Sequence, residues 1–159
     1  MKKSKKCSLI VSKSAQEVFD KYRQTRNTHV EACGILIGNH KINAHTVYIK
    51  FATIPQINDI RSRCSFKLNS ASHQCILDAY FKISQNEDVY IGTWHSHPEN
   101  NPTPSDIDIS DWNEQYRQNK NLFTKMFFLI VGIKKIGFWM IENGKLMKLP
   151  LEEIVYEYH

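Results

Sequence analysis

Two histidines separated by one residue, His95 and His97, sit in the run His95-Ser96-His97-Pro98, and Ser105 and Asp108 follow within the next eleven positions. In extended chain, residues i and i+2 project to the same side, so both imidazoles can reach one small cation. Asp108 lies eleven residues after His97, across a loop able to fold back and offer a carboxylate at the start of the next helix. Two nitrogens and one oxygen, with water in the fourth position, form the open tetrahedral arrangement of catalytic rather than structural zinc. Zinc held this way lowers the pKa of a bound water to about 7 and polarises a carbonyl. A proton acceptor that does not ligate the metal is also needed. Glu31 fits, standing alone between apolar Val30 and Ala32, because a carboxylate in or beside a core is rare unless paired or employed. Desolvation raises its pKa and a nearby metal lowers it, which keeps it usable as a general base near neutral pH. Ser105, three residues before Asp108, is placed to donate to the oxyanion of a tetrahedral intermediate. Together these residues supply the roles that amide hydrolysis requires.

Each residue also has a plainer reading. A His-x-His tripeptide alone is unspecific, Glu31 is an exposed strand-end carboxylate, and Ser105 is an ordinary helix N-cap, a role compatible with catalysis. His29, His40, His45, His73 and His159 lack sequence partners and are expected at the surface or in loops. Cys33 shares the face of Glu31 in a regular strand, so a thiol near the site or a packed inert cysteine are both open. Trp94 and Trp112 bracket the site and are expected in the core, with a wall for a substrate tail as the alternative.

The elements that must position these residues follow from pattern. Ser14 with Glu17 has capping-box spacing, and Val18, Phe19 and Tyr22 add an apolar stripe, which predicts a helix over about 14–25. The apolar run Val30 to Gly38 reads as a buried strand and Thr46 to Thr53 as a second one. Residues 54–62 read as loop, Ser65 to Leu68 as a short strand, and Ala71 to Ser84 as a helix with Ile76, Leu77, Tyr80 and Phe81 on one face. Val89 to Trp94 is a strand that delivers the chain into His95. After the loop Glu99 to Pro104, Ser105 caps a helix running through Trp112. Met126 to Val131 and Ile136 to Ile141 are strands, and Glu142-Asn143-Gly144-Lys145 is a hairpin turn leading into Leu146 to Leu149. Interleaved helices and strands, with several strands adjacent in sequence, give an α/β or α+β class with a mixed sheet. No repeat or linker divides the chain; residues 1–6 read as a basic flexible tail and 7–159 as one domain.

Glu31, His95-x-His97-Pro98 and Ser105-x-x-Asp108 resemble the JAMM motif of the JAB/MPN metalloproteases, and Glu31-Ala32-Cys33-Gly34 followed by Ile35-Leu36-Ile37-Gly38 resembles that family's entry strand. The resemblance runs from about residue 28 to 141. It implies the MPN/JAB fold, a mixed sheet flanked by helices with cytidine-deaminase-like layering. It implies one catalytic Zn2+ on His95, His97 and Asp108, with Glu31 as base and Ser105 stabilising the oxyanion. The implied activity is isopeptide or peptide cleavage at the C-terminus of a ubiquitin-like or conjugated protein. Minimal length, a helix ahead of Glu31, and Gly92-Thr93-Trp94-His95-Ser96-His97-Pro98 most resemble the small stand-alone JAB isopeptidases of CBASS antiphage operons. That implies deubiquitinase-like removal of a conjugated nucleotidyltransferase (CD-NTase), a role in antiviral defence. The extended substrate tail is then expected between loops 54–62 and 99–104, by strand addition. Two alternatives remain at this point: a metal-stabilised MPN binding module that does not cleave, and a nucleic-acid accessory factor resembling the RadC family.

Composition narrows the field. At 159 residues, 42% hydrophobic and 23% charged, the chain suits one globular domain and argues against disorder, collagen or coiled coil. The longest apolar run, Met126 to Ile133, is far short of the roughly 18 residues of a membrane span. The net charge of +5 suggests an acidic partner such as nucleic acid. Lys2, Lys3, Lys5 and Lys6 carry most of it, however, which makes nucleic acid a poor expectation. After that basic start only Leu9, Ile10 and Val11 are apolar, too few for a secretory signal, so the expected location is cytoplasmic. Cys7, Cys33, Cys64 and Cys75 form no CxxC pair and read as free, mostly packed thiols. A zinc deaminase would need Pro-Cys-x-x-Cys, and zincins and nucleophile-elbow hydrolases would need HExxH or Gly-x-Ser-x-Gly; none is present.

Overall fold

A computed structural model describes residues 8–43, 45–122 and 124–158. The lysine tail, Cys7 and His159 lie outside the described residues. In chain order the elements are β1 (Leu9–Val11), α1 (Lys13–Lys21), β2 (Cys33–Asn43), β3 (Thr46–Ala52), β4 (Ile60–Arg61), β5 (Phe66–Lys67) and α2 (Ser70–Ile83). Then come β6 (Val89–Ser96), α3 (Asp106–Asn119), β7 (Lys125–Val131), β8 (Ile136–Glu142), β9 (Lys145–Lys148) and β10 (Ile154–Tyr156). Among the described residues an eight-stranded sheet runs β10-β1-β3-β2-β6-β7-β8-β9, and β4 pairs with β5 separately. β1 runs parallel to both β10 and β3, and β6 is parallel to β7, while the other pairs are antiparallel. The mixed α/β class expected from the sequence is the one observed.

The sheet has apolar residues on both faces. On one face Leu36, Ile49, Trp94, Phe127, Leu129 and Phe138 pack with Ala15 and Phe19 of α1. On the other, Phe128, Ile130 and Trp139 pack around Trp112 of α3. The residues of β7 alternate strictly between these two clusters, the period-two pattern of a strand buried on both sides.

Strand β6 breaks that alternation where it matters. Ile91 and Trp94, an odd number of residues apart, both belong to the α1-side cluster. The register against β2 shifts between Leu36 and Ile37, which oppose Gly92 and Tyr90 and leave Ile91 as the extra residue of a β-bulge. Without the bulge, His95 would share a face with Ile91. With it, Trp94 turns to α1, its ring 5.5 Å from Phe19, and His95 turns to α3, its ring 6.3 Å from Trp112. Gly92 is required here, because a Cβ would stand 1.7 Å from the Phe127 carbonyl oxygen.

Several boundaries differ from the sequence expectations. α1 is capped by Ser12 rather than Ser14: the Ser12 hydroxyl accepts the Ala15 N–H at 3.0 Å and donates to the Lys50 carbonyl at 2.6 Å. That bond to β3 fixes the helix start where β1 ends, and the helix stops at Lys21 rather than near 25. The first central strand begins at Cys33, not Val30, and extends to Asn43. Within the expected loop 54–62, Ile60–Arg61 forms a strand. α2 does not bury one apolar face; His73 is its fully buried residue, while Tyr80 stacks on Phe51 at 4.1 Å and Phe81 is exposed. The hairpin turn is as expected, with Asn143 and Gly144 at φ 52° and 75°, the left-handed pair of a type I′ turn. Strands β1 and β10 had no sequence assignment. Among the described residues no helix is long and apolar enough to cross a membrane.

Candidate active site

The end of β6 and the start of α3 converge on one buried cluster. His95 and His97 Nε2 are 3.0 Å apart. Asp108 spans them, Oδ1 at 3.3 Å from His95 Nε2 and Oδ2 at 3.2 Å from His97 Nε2. One ligand atom from each of the three residues lies within 4.8 Å of the others, close enough for a single small cation to be held among them. The donor set, two imidazole nitrogens and a carboxylate, also suits zinc. Glu31 Oε1 lies 3.9 Å from His97 Nε2, near the cluster without joining it. The structure thus brings together His95, His97, Asp108 and Glu31.

Local sequence explains how each is held. Ser105 caps α3, its hydroxyl accepting the Asp108 N–H at 3.1 Å while Asp108 Oδ2 accepts the Ser105 N–H at 2.8 Å. This reciprocal capping box fixes the carboxylate by the first turn of its own helix. The Ser105 hydroxyl proton is free of that bond, and Ser105 lines the adjoining cavity with Glu31 and Asp108. Glu31 sits just before β2, its N–H donating to the Ser62 carbonyl at 2.7 Å. Its neighbour Ala32 donates to the Ser96 hydroxyl at 2.8 Å, which donates in turn to Gln24. His97 Nδ1 is 2.8 Å from Glu99 Oε1, which makes Nδ1 the protonated nitrogen and leaves the Nε2 lone pair facing the cluster. The His95 ring lies between Phe66, 4.8 Å away, and Trp112.

The electrostatics are those of a cation site. Burial pushes Glu31 up to about 7, with His97 partly offsetting it. Burial also lowers His95 below its ordinary value, outweighing Asp108, and so favours the neutral ligand form. Burial disfavours charge on His97 too, but its bonds to Asp108 and Glu99 prevail and hold it up to about 9. Burial opposes ionised Asp108, yet the bonds from His95, His97 and the Ser105 N–H keep it well below the usual carboxylate range. Positive charge is therefore drawn to a point beside ionised Asp108, where a divalent ion could take the place of a proton.

A cavity of about 890 Å³ adjoins the cluster, walled by residues 64–68, α2, β6 and α3. None of residues 54–62 or 99–104, the two loops expected to flank the groove, is among its lining residues. Trp94 and Trp112 are buried and neither lines the cavity. Cys33 is packed, and burial, with Asp59 beside it, pushes its thiol up to about 12. Cys64 and Cys75, expected to be packed, are exposed.

Sequence reasoning missed Glu99, whose only signal was its place two residues after His97, and Ser96, which points away from the two histidines between which it sits. It also misplaced His73, which is buried rather than superficial. His73 Nε2 meets Asp59 Oδ2 at 2.9 Å and Nδ1 meets the Thr53 hydroxyl at 2.7 Å. Asp59 also accepts the N–H groups of Gln56 and Asn69, both at 2.6 Å. This clasp docks the start of α2 and residues 54–59 against β3.

Comparison with known proteins agrees with the geometry. The family described as prokaryotic homologs of the JAB domain matches residues 15–142. A protein of Pseudomonas aeruginosa named CD-NTase/cGAS isopeptidase is 37% identical over 102 residues, 64% of this chain and 63% of that protein. Proteins of the same name from Vibrio cholerae and Escherichia coli are each 35% identical, covering 75% and 86% of this chain and 71% and 80% of their own. The solution structure of protein DSY2949 from Desulfitobacterium hafniense superposes with a TM-score of 0.64 over 95% of this chain and 94% of that one, at 16% identity, a likeness of fold. With most of its length matched, this chain belongs to the prokaryotic JAB-domain family.

Proposed function

We propose that this protein is a JAMM-type zinc isopeptidase that cleaves at the C-terminus of a ubiquitin-like or otherwise conjugated protein. The observation that carries the reading is the convergence of His95, His97 and Asp108, whose ligand atoms lie within 4.8 Å of one another, with Glu31 just outside the group. Zinc held by those three supplies an acidified water and polarises the scissile carbonyl. Glu31 accepts the proton at its carboxylate, which burial has made basic enough to hold it near neutral pH, and delivers it to the departing amine. The Ser105 hydroxyl, already fixed as a cap, donates to the oxyanion. Glu99 keeps His97 in the tautomer that presents Nε2.

The relatives' name, CD-NTase/cGAS isopeptidase, supports a nucleotidyltransferase of that type as the substrate; we propose further that it is joined to a target through its C-terminus and released in the cytoplasm as part of antiphage defence. Glu31→Gln tests the mechanism. The variant is expected to keep about one zinc per chain by elemental analysis and to lose cleavage of a nucleotidyltransferase conjugate by a factor of about 10² or more. Wild-type activity in that variant would overturn it, as would a protein that binds the conjugate without cleaving it.

A further inference from the structure

We infer that the groove beside the metal cluster selects a substrate tail carrying a lysine or arginine side chain, attracted by Asp78 of α2 and Asp111 of α3, which both line it. The inference rests on the isopeptidase reading and names the chemistry of the tail which that reading requires. The cavity is lined by Glu31, Ser105 and Asp108 and by residues of both α2 and α3, so a chain cleaved at the cluster has this surface beside it. Its walls combine two kinds of surface. Leu77, Phe81 and Leu122 line it, and Phe81 and Leu122 are 40% and 75% exposed, large apolar side chains left uncovered beside the groove. Among them stand carboxylates. Glu114 is paired with Arg117, but Asp111 accepts from the Gln115 amide at 2.7 Å and Asp78 from the Gln74 amide at 2.8 Å. Among the described residues neither has an ion-pair partner, and Lys67 is the one lysine or arginine lining the cavity.

That pattern runs against the rest of the molecule. A chain with 21 Lys+Arg and a net charge of +5 offers many cations to neutralise two surface carboxylates, yet these two, one on each helix lining the cavity, are served by amides. Charges of one sign along a cleft, here carboxylates, sum to a negative field at an entering chain. An extended peptide with a cationic side chain and apolar neighbours complements both surfaces; an acidic tail is repelled by Asp78, Asp111 and Glu31 together.

The test uses the zinc-loaded full chain carrying Glu31→Gln, so that binding is read without turnover. Fluorescein-labelled peptides of Gly, Ser and Leu, with a single Lys, Ala or Glu scanned along them, are titrated by anisotropy. At the preferred position the Lys peptide is expected to bind about fivefold more tightly than the Ala peptide, the upper end for exposed ion pairs. The preference should vanish at about 1 M salt, where the Debye length is about 3 Å. Asp78→Asn with Asp111→Asn should abolish the preference, and Asp78→Lys with Asp111→Lys should transfer it to the Glu peptide. Both aspartates are exposed, so these changes leave the fold intact. Equal binding of the three peptides, or a Lys preference untouched by the double variants, would overturn the inference. Cleavage of a conjugate by wild-type protein is scored separately, so failure of the groove and failure of the isopeptidase reading remain distinct results.

Discussion

Glu99 meets the proposed metal cluster through its hydrogen bond with His97, so its effect should appear in metal affinity. It accepts from His97 Nδ1 and from the Thr103 N–H at 3.2 Å, tying the ligand to the loop ahead of α3. Glu99→Gln is expected to weaken zinc binding about 10- to 100-fold in a competition titration with a chromogenic chelator, as for other carboxylates behind a ligating histidine. Unchanged affinity would mean that the imidazole is oriented by packing between its neighbours. Ser105 carries two separable burdens. Ser105→Ala should cost about 1 kcal/mol in denaturant unfolding for the lost N-cap, and a further 10²–10³ in kcat if its hydroxyl serves the oxyanion. A loss confined to stability would leave it a cap alone.

At the scale of elements, β6 and the 54–69 segment decide where the site residues point. Gly92→Ala places a Cβ against the Phe127 carbonyl and should destabilise by about 1–3 kcal/mol, as overpacking against backbone does; loss of zinc with it would show that the bulge sets the histidine face. The Asp59–His73 clasp makes a pH prediction. Burial opposes ionised Asp59, but the Asn69, Gln56 and His73 hydrogen bonds prevail and lower its pKa below 3.8. A carboxylate lowered on folding stabilises fully above its unfolded value, and the contribution fades as pH falls through the folded value. Wild type should therefore exceed Asp59→Asn in stability at neutral pH, with the difference shrinking below about pH 3.8 in parallel urea titrations. A difference independent of pH would assign the clasp to neutral hydrogen bonds. The clasp also holds residues 59–62, whose Ser62 carbonyl anchors the Glu31 N–H, so a docking defect there should be felt at the base.

Over the whole molecule, the proposed zinc site would link metal and fold, because His95 and His97 at the end of β6 and Asp108 in α3 would share one ion. Zinc at about one hundred times its dissociation constant stabilises by about 2.7 kcal/mol. Chelation should therefore lower Tm by roughly 5–10 °C in a domain of this size. Asp108→Ala should remove the zinc-dependent shift, and a Tm indifferent to zinc in wild type would exclude a preformed site. How much of this was legible beforehand depends on sequence distance. His95, His97, Ser105 and Asp108 could be read directly, since strand periodicity puts the imidazoles on one side and a capping box fixes Asp108 by local rules. The Asn143-Gly144 turn was equally local. Glu31 is distant in sequence, and its proximity was legible only through the motif; its burial, and hence its pKa, comes from chain that folds over it. Ser12 rather than Ser14 caps α1 because β3 offers it a carbonyl, a partner 38 residues away. β1 and β10, three residues each, carry too little pattern to read and exist because their parallel ladders complete each other. The amino-acid sequence by itself therefore determined the proposed ligand set, through short-range backbone geometry. Tertiary structure decided which face His95 takes, how basic Glu31 becomes, that His73 is buried, and that α2 and α3 wall the groove, because burial and register are set by contacts between distant segments.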